Sequence, residues 1–124
     1  MSPRRVVLVV DDEAITRDVV GAMLEMEDVE VHTAHDGETA LAMAGDVRPD
    51  LVLLDVMMPG IDGMEVCRRL TADDGGPRVV MLTAKADPES RQIAAAAGAS
   101  AYLSKPFSAV DLFKVVEGEL TGGL

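Results

Sequence analysis

Four short runs of apolar residues constrain this chain most: VVLVV at 6–10, LVLL at 51–54, VVML at 79–82 and AYL at 101–103. They are continuous, not alternating, and too short for amphipathic helices. Strands of this kind are buried on both faces, which is the condition of a parallel sheet covered by helices. Each run stops at polar residues: Asp11 and Asp12 after the first, Asp55 after the second, Thr83 after the third, and Lys105 just beyond Ser104 after the last. Open parallel sheets bind ligands outside the carboxyl ends of their strands. These five side chains are therefore expected to line one crevice.

The segments between the runs read as one more strand and five helices. Ala14 to Met26 has Ile15, Val19, Met23 and Met26 at helical spacing, giving the first helix its expected apolar stripe. A short strand around Val29 to Ala34 leads to Asp36 and Gly37, read as a turn, and Ala40, Leu41 and Ala44 mark a helix that ends before Pro49. After the loop MMPGIDG, Met64, Cys67 and Leu70 line a third helix. Asp87 and Pro88 are suited to N-cap and first-turn positions of a fourth, alanine-rich helix, which Gly98 can end in a left-handed conformation. Ser108 and Asp111 form a capping-box-like pair at the start of the fifth helix, with Phe107 and Leu112 placed as a hydrophobic staple. Five strands alternating with five helices predict a single three-layer α/β/α domain over residues 1–124, with its core at about 6–120.

Composition excludes several functions. The net charge of −11 opposes binding to nucleic acid or anionic membrane, so neither direct nucleic-acid contact nor membrane insertion is expected. No apolar stretch is long enough for a transmembrane helix, and the MSPRR start lacks a signal-peptide core; a cytoplasmic location is expected. Cys67, the only cysteine, permits neither an internal disulfide nor a multi-cysteine zinc site, and reads as a core residue. Tyr102, Phe107 and Phe113 are too few for a base-stacking platform. The pairs Arg4–Arg5 and Arg68–Arg69 read as solvated surface, and His32 and His35 as surface residues of an edge-type strand away from the crevice.

Gathering Asp11, Asp12 and Asp55 costs about 4 kcal/mol per like-charged pair at 4 Å and an effective dielectric constant of 20. A cation must offset this. Mg2+ suits the oxygen donors, and no ligand-dense calcium loop occurs. A carboxylate beside such a metal can attack phosphorus to give an aspartyl phosphate. Asp55, which precedes a glycine-containing loop, is the expected nucleophile. Charge developing on the phosphoryl oxygens requires positioned partners, for which Mg2+, Lys105 and Thr83 are the candidates.

With VVDDE, LLDVMMPGIDG, Thr83-Ala84 and Lys105-Pro106 in this order and at this spacing, the chain resembles the response-regulator receiver domain of bacterial two-component signalling over about Val6 to Leu120. The resemblance implies a flavodoxin-like fold with strand order 2-1-3-4-5, an order for which a chemotaxis regulator is itself the standard example. It implies direct ligation of Mg2+ by Asp12, Asp55 and the backbone carbonyl of Met57, with Asp11 acting mainly through water. Asp55 would accept the phosphoryl group, Lys105 would pair with it, and the Lys105-Pro106 bond would be cis. Thr83 and Tyr102 match the family's switch pair, acting on the fourth helix, fifth strand and fifth helix. The implied partners are a sensor histidine kinase or phosphotransfer protein and a downstream effector domain or protein, with homodimerisation through that switch face as a further outcome. Catalysis would be limited to the domain's own phosphorylation and dephosphorylation.

Met57 and Lys85 depart from the water-handling side chains found at these positions in some relatives, which predicts a long-lived phosphoryl group. Val110, Phe113 and Val115 give the fifth helix more apolar positions than a narrow stripe needs, and some of them are candidates for a partner or dimer patch. Two rival functions remain at this stage. A Mg2+-dependent phosphohydrolase with an Asp nucleophile would need a second acid where Met57 stands. A flavodoxin-like electron carrier would need Ser, Thr and Gly where the first loop is acidic.

Overall fold

The computed structural model describes residues 4–57, 62–73, 75–84 and 88–121. In chain order the elements are β1 (Arg5–Val10), α1 (Ala14–Glu25), β2 (Val29–Ala34), α2 (Gly37–Val47), β3 (Leu51–Asp55), α3 (Gly63–Leu70), β4 (Arg78–Thr83), α4 (Pro88–Ala96), β5 (Ala101–Ser104) and α5 (Ala109–Thr121). All strand pairings are parallel and the order is β2-β1-β3-β4-β5, as the resemblance implied.

Because successive strand residues face opposite sides, each continuous apolar run serves two cores at once. Leu8, Val10, Val52, Leu54, Val79 and Met81 face Ala40, Val66, Cys67, Leu70 and Ala94, from α2, α3 and α4. Val7, Val9, Leu51, Leu53, Val80 and Leu82 face Val20 and Leu24 of α1 and Leu112 and Val116 of α5. β1, β3 and β4 lie between other strands and need apolar residues at both parities. β2, at the edge, carries the mixed sequence VEVHTA, with His32 bonded to Glu30 at 2.7 Å.

Helix termini follow local chemistry. The Asp36 side chain accepts a hydrogen bond from the Thr39 N–H at 2.7 Å, so the expected turn at Asp36 and Gly37 is the N-cap and first residue of α2. Gly98 adopts φ +109°, with its N–H bonded to Ala95 O at 3.0 Å and the Ala99 N–H to Ala94 O at 3.0 Å, the paired bonds of a Schellman motif. Ser108 and Asp111 cap α5 reciprocally at 3.2 and 3.1 Å, and Phe107 and Leu112 share one core. The Asp87 cap lies outside the described residues.

Of the predicted stripe of α1, only Met23 packs against the core. Ile15, Val19 and Met26 are 78%, 47% and 82% exposed, whereas Val20, Gly21 and Leu24 are buried. The helix carries two overlapping apolar stripes about one residue apart, and the sheet takes the one with the smaller members. Sequence also gave no sign of Glu119. This buried acid of α5 accepts from Arg78 Nε of β4 and from Ser100 Oγ, each at 2.7 Å, at the end of the sheet opposite the acidic residues.

Candidate functional site

The strand registry assembles the crevice. Val10 of β1 pairs with Leu54 of β3, Asp55 with Leu82 of β4, and Thr83 with Ser104 of β5. Asp11 and Asp55 therefore end adjacent strands at the same level. Lys105 is held just beyond β5, where its N–H donates to the Thr83 carbonyl at 2.7 Å. Asp11 (0% exposed), Asp55 (4%) and Thr83 (2%) are buried, while Asp12 is exposed at the rim. One carboxylate oxygen from each of Asp11, Asp12 and Asp55 lies within 4.8 Å of the others.

The acids have different partners. Asp11 is fully engaged: Oδ1 accepts the Glu13 N–H at 2.9 Å, Oδ2 accepts from Lys105 Nζ at 2.8 Å, and its carbonyl accepts from Arg17 Nη1 at 2.7 Å. Asp55 is held less tightly, with Oδ1 accepting the Met57 N–H at 3.1 Å and Oδ2 3.6 Å from Lys105 Nζ. The Asp12 carboxylate accepts no hydrogen bond among the described residues. Burial raises the Asp55 pKa, helped by the charges of Asp11 and Asp12 and opposed by the Met57 N–H and by Lys105. Burial acts against the Lys105 ammonium, but the Asp11 bond and the charges of Asp55, Asp11 and Glu13 outweigh it and raise its pKa.

These donors fit a hard divalent cation. They are all oxygens, and three carboxylates against one ammonium leave two negative charges for the metal to balance. Both carboxylate oxygens of Asp11 already accept hydrogen bonds, whereas the Asp12 carboxylate accepts none among the described residues.

Gly63, the first residue of α3, presses against the back of the acceptor. A Cβ there would lie 2.7 Å from the Asp55 carbonyl oxygen and 2.8 Å from Val56 Cα, so only glycine lets α3 start this close. The Lys105-Pro106 bond is cis, as expected. Tyr102 of β5 is half-buried, with the Arg91 guanidinium 5.6 Å from its ring centroid, and both line a cleft of about 340 Å³ between α4 and β5. On α5, Val110 is 60% exposed, whereas Val115 packs against the core. Burial pushes the Cys67 thiol up to about 11, consistent with an inert core residue. Lys85 lies outside the described residues.

Arg17 is the site residue that sequence reading missed. Its signal is positional: long side chains in the first turn of a helix point back over its N-terminus, here onto the loop carrying Asp11 and Asp12.

The family profile of the response regulator receiver domain matches residues 7–117. The chain belongs to this family and is a receiver domain of the two-component response-regulator type. It is 42% identical over 117 residues to the DNA-binding response regulator MtrA of Mycolicibacterium paratuberculosis, covering 94% of this chain and 52% of that protein. It thus spans about half the length of the MtrA relatives it matches. Chemotaxis protein CheY4 of Vibrio cholerae matches with a TM-score of 0.88 at 35% identity, over 93% of this chain and 98% of that one. The response regulator DrrB, a Thermotoga maritima OmpR/PhoB homologue, matches with a TM-score of 0.89 at 30% identity, over 98% and 54%. The hydrolase and electron-carrier alternatives are not favoured.

Proposed function

We propose that residues 1–124 act as one cytoplasmic receiver domain, with its core over about residues 6–120. Asp55 takes a phosphoryl group from a phosphohistidine of a sensor kinase or phosphotransfer protein. The observation that carries this reading is the convergence of Asp11, Asp12 and Asp55 within 4.8 Å, with Lys105 between Asp11 and Asp55. An Asp55 carboxylate oxygen forms the new O–P bond as the donor's P–N bond breaks, and the electron pair stays on the imidazole nitrogen. Lys105 offers an ammonium to the phosphoryl oxygens, and Thr83 offers a hydroxyl at the end of the neighbouring strand. Asp12, Asp55 and the Met57 carbonyl, with Asp11 acting mainly through water, would hold Mg2+, which would supply charge neutralisation.

The donor has to reach the carboxyl ends of the strands. Beside Lys105, a groove of about 490 Å³ lined by Ile15, Val19, Met23, Pro106 and Phe107 offers apolar contact at that end. This supports it as the docking site for the phosphodonor protein, and it gives the exposed stripe of α1 a use.

The output is read through Thr83 and Tyr102 on the face formed by α4, β5 and α5. Exposed Val110 is available to an effector or a second copy there. Moving such a switch from 1:99 to 99:1 takes about 5.5 kcal/mol of differential interaction, more than one charge-assisted hydrogen bond provides, so phosphate, metal and partner contacts must combine. The output lies with a downstream effector domain or protein; DNA binding is the output named for the MtrA relatives.

The test is treatment with a small phosphodonor and Mg2+, read by intact mass and phosphate-affinity electrophoresis. Wild type should gain one phosphoryl group and Asp55→Asn none. Equal labelling of both would overturn the assignment.

A further inference from the structure

We propose that Arg17 is a positioning residue for the metal site: its guanidinium fixes the Asp11–Asp12 peptide and so aims the Asp12 carboxylate. The inference rests on the metal reading above and adds a residue to it.

Asp12 is the acid most in need of outside control. It is exposed, stands in the loop between β1 and α1, and its carboxylate accepts no hydrogen bond among the described residues. The direction of its Cα–Cβ bond is set by the peptide planes on either side, and both are pinned. On the far side, the Glu13 N–H donates to Asp11 Oδ1 at 2.9 Å. On the near side, Arg17 Nη1 donates to the Asp11 carbonyl at 2.7 Å, one bond from the Asp12 nitrogen. The Asp11 N–H is fixed in turn by the Ala34 carbonyl of β2 at 3.2 Å. Arg17 is itself anchored, because its N–H donates to Glu13 O at 3.1 Å in the first turn of α1. The guanidinium therefore closes a ring through Asp11, Asp12, Glu13 and the helix. Without it, the Asp11 carbonyl loses one of the restraints on the Asp11–Asp12 peptide, and the Asp12 side chain gains freedom to turn.

Two roles for Arg17 predict effects of opposite sign. If the guanidinium served only as a charge beside the acids, removing it would make the site more negative and tighten Mg2+ binding. If it positions Asp12, removing it weakens binding, by about tenfold as for other groups that orient metal ligands. A merely structural role would change stability and leave metal affinity alone.

The experiment is calorimetric titration of Mg2+ into wild type, Arg17→Ala and Arg17→Lys, with urea unfolding of each in chelator. The expected result is about tenfold weaker binding for Arg17→Ala, partial recovery for Arg17→Lys, which keeps a donor on a long stem, and a folded apo protein in each case. Equal or tighter binding by Arg17→Ala, with wild type binding normally, overturns the positioning role alone. Absence of Mg2+ binding by wild type overturns the metal reading and this inference with it. If Arg17→Ala does not fold, Arg17→Lys and Arg17→Gln decide by the same comparison of affinity.

Discussion

The Lys105 ammonium lies 2.8 Å from Asp11 Oδ2 but 3.6 Å from Asp55 Oδ2, so its hydrogen-bonded partner is the buried acid of the first loop and not the acceptor. This division of labour leaves Asp55 with one amide donor on Oδ1 and the longer ion pair to Lys105 on Oδ2. It also gives the domain a polar tie between β5 and the end of β1.

Removing the cation should therefore reduce stability. Lys105→Met leaves Asp11, fully buried, beside two other carboxylates with no opposing ammonium. We expect a loss of about 3 kcal/mol in urea unfolding at neutral pH with chelator present, the scale for breaking a buried pair from one side. A loss below roughly 1 kcal/mol would show that solvent at the Lys105 side already screens the pair.

Asp55 should make stability fall as pH rises. Its folded pKa is raised above the ordinary 3.8, chiefly by burial. The folded state then binds more protons than the unfolded state between those two values, and stability drops with increasing pH across that window. The penalty is fully present above the folded pKa and absent below the unfolded one. Asp55→Asn should accordingly be more stable than wild type at neutral pH in chelator, with the advantage disappearing on acidification. Saturating Mg2+ should reverse the order. Chemical denaturation across the pH range checks both, and an Asn variant no more stable than wild type at neutral pH would contradict the burial penalty.

Gly63→Ala should damage the acceptor. Its Cβ meets backbone atoms of Asp55 and Val56, which cannot rotate aside, so α3 must shift off the end of β3. We expect a cost of about 1–3 kcal/mol, the range for overpacking, together with slower phosphorylation. Gly118→Ala in α5, with no atom within 4 Å of the new Cβ, should instead stabilise by up to about 1 kcal/mol through helix propensity. Equal effects at the two positions would discount the contact.

Met57 should prolong the phosphoryl group. The residue is 64% exposed, two positions after Asp55, and its thioether offers no donor or strong acceptor to orient an attacking water. Met57→Asn supplies an amide at that position and should shorten the aspartyl phosphate lifetime in a buffered decay assay. An unchanged lifetime would place control of hydrolysis elsewhere.

Local signals in this chain were reliable wherever one residue type has one physical use. Gly98 ends α4 because φ near +109° suits glycine, and Ser108 with Asp111 starts α5 because each satisfies the other's N–H. The strand ends were legible for a similar reason: uninterrupted apolar runs leave polar residues only where the sheet stops. α1 was misread because its sequence is apolar around much of its circumference. Ile15 and Val20 are equally suited to burial by type, and only the surface of the sheet selects between them.

By itself, then, the sequence determined the number and kind of elements, the buried strands and the set Asp11, Asp12, Asp55, Thr83 and Lys105, since these depend on hydrophobic runs and on chain-local chemistry. Tertiary structure decided which oxygen meets which donor: that Lys105 bonds Asp11, and that Glu119 is buried against Arg78 and Ser100. Those pairings join residues from different elements whose separation along the chain has no periodicity. They exist only once strand registry and helix docking have fixed distances to within a few tenths of an ångström.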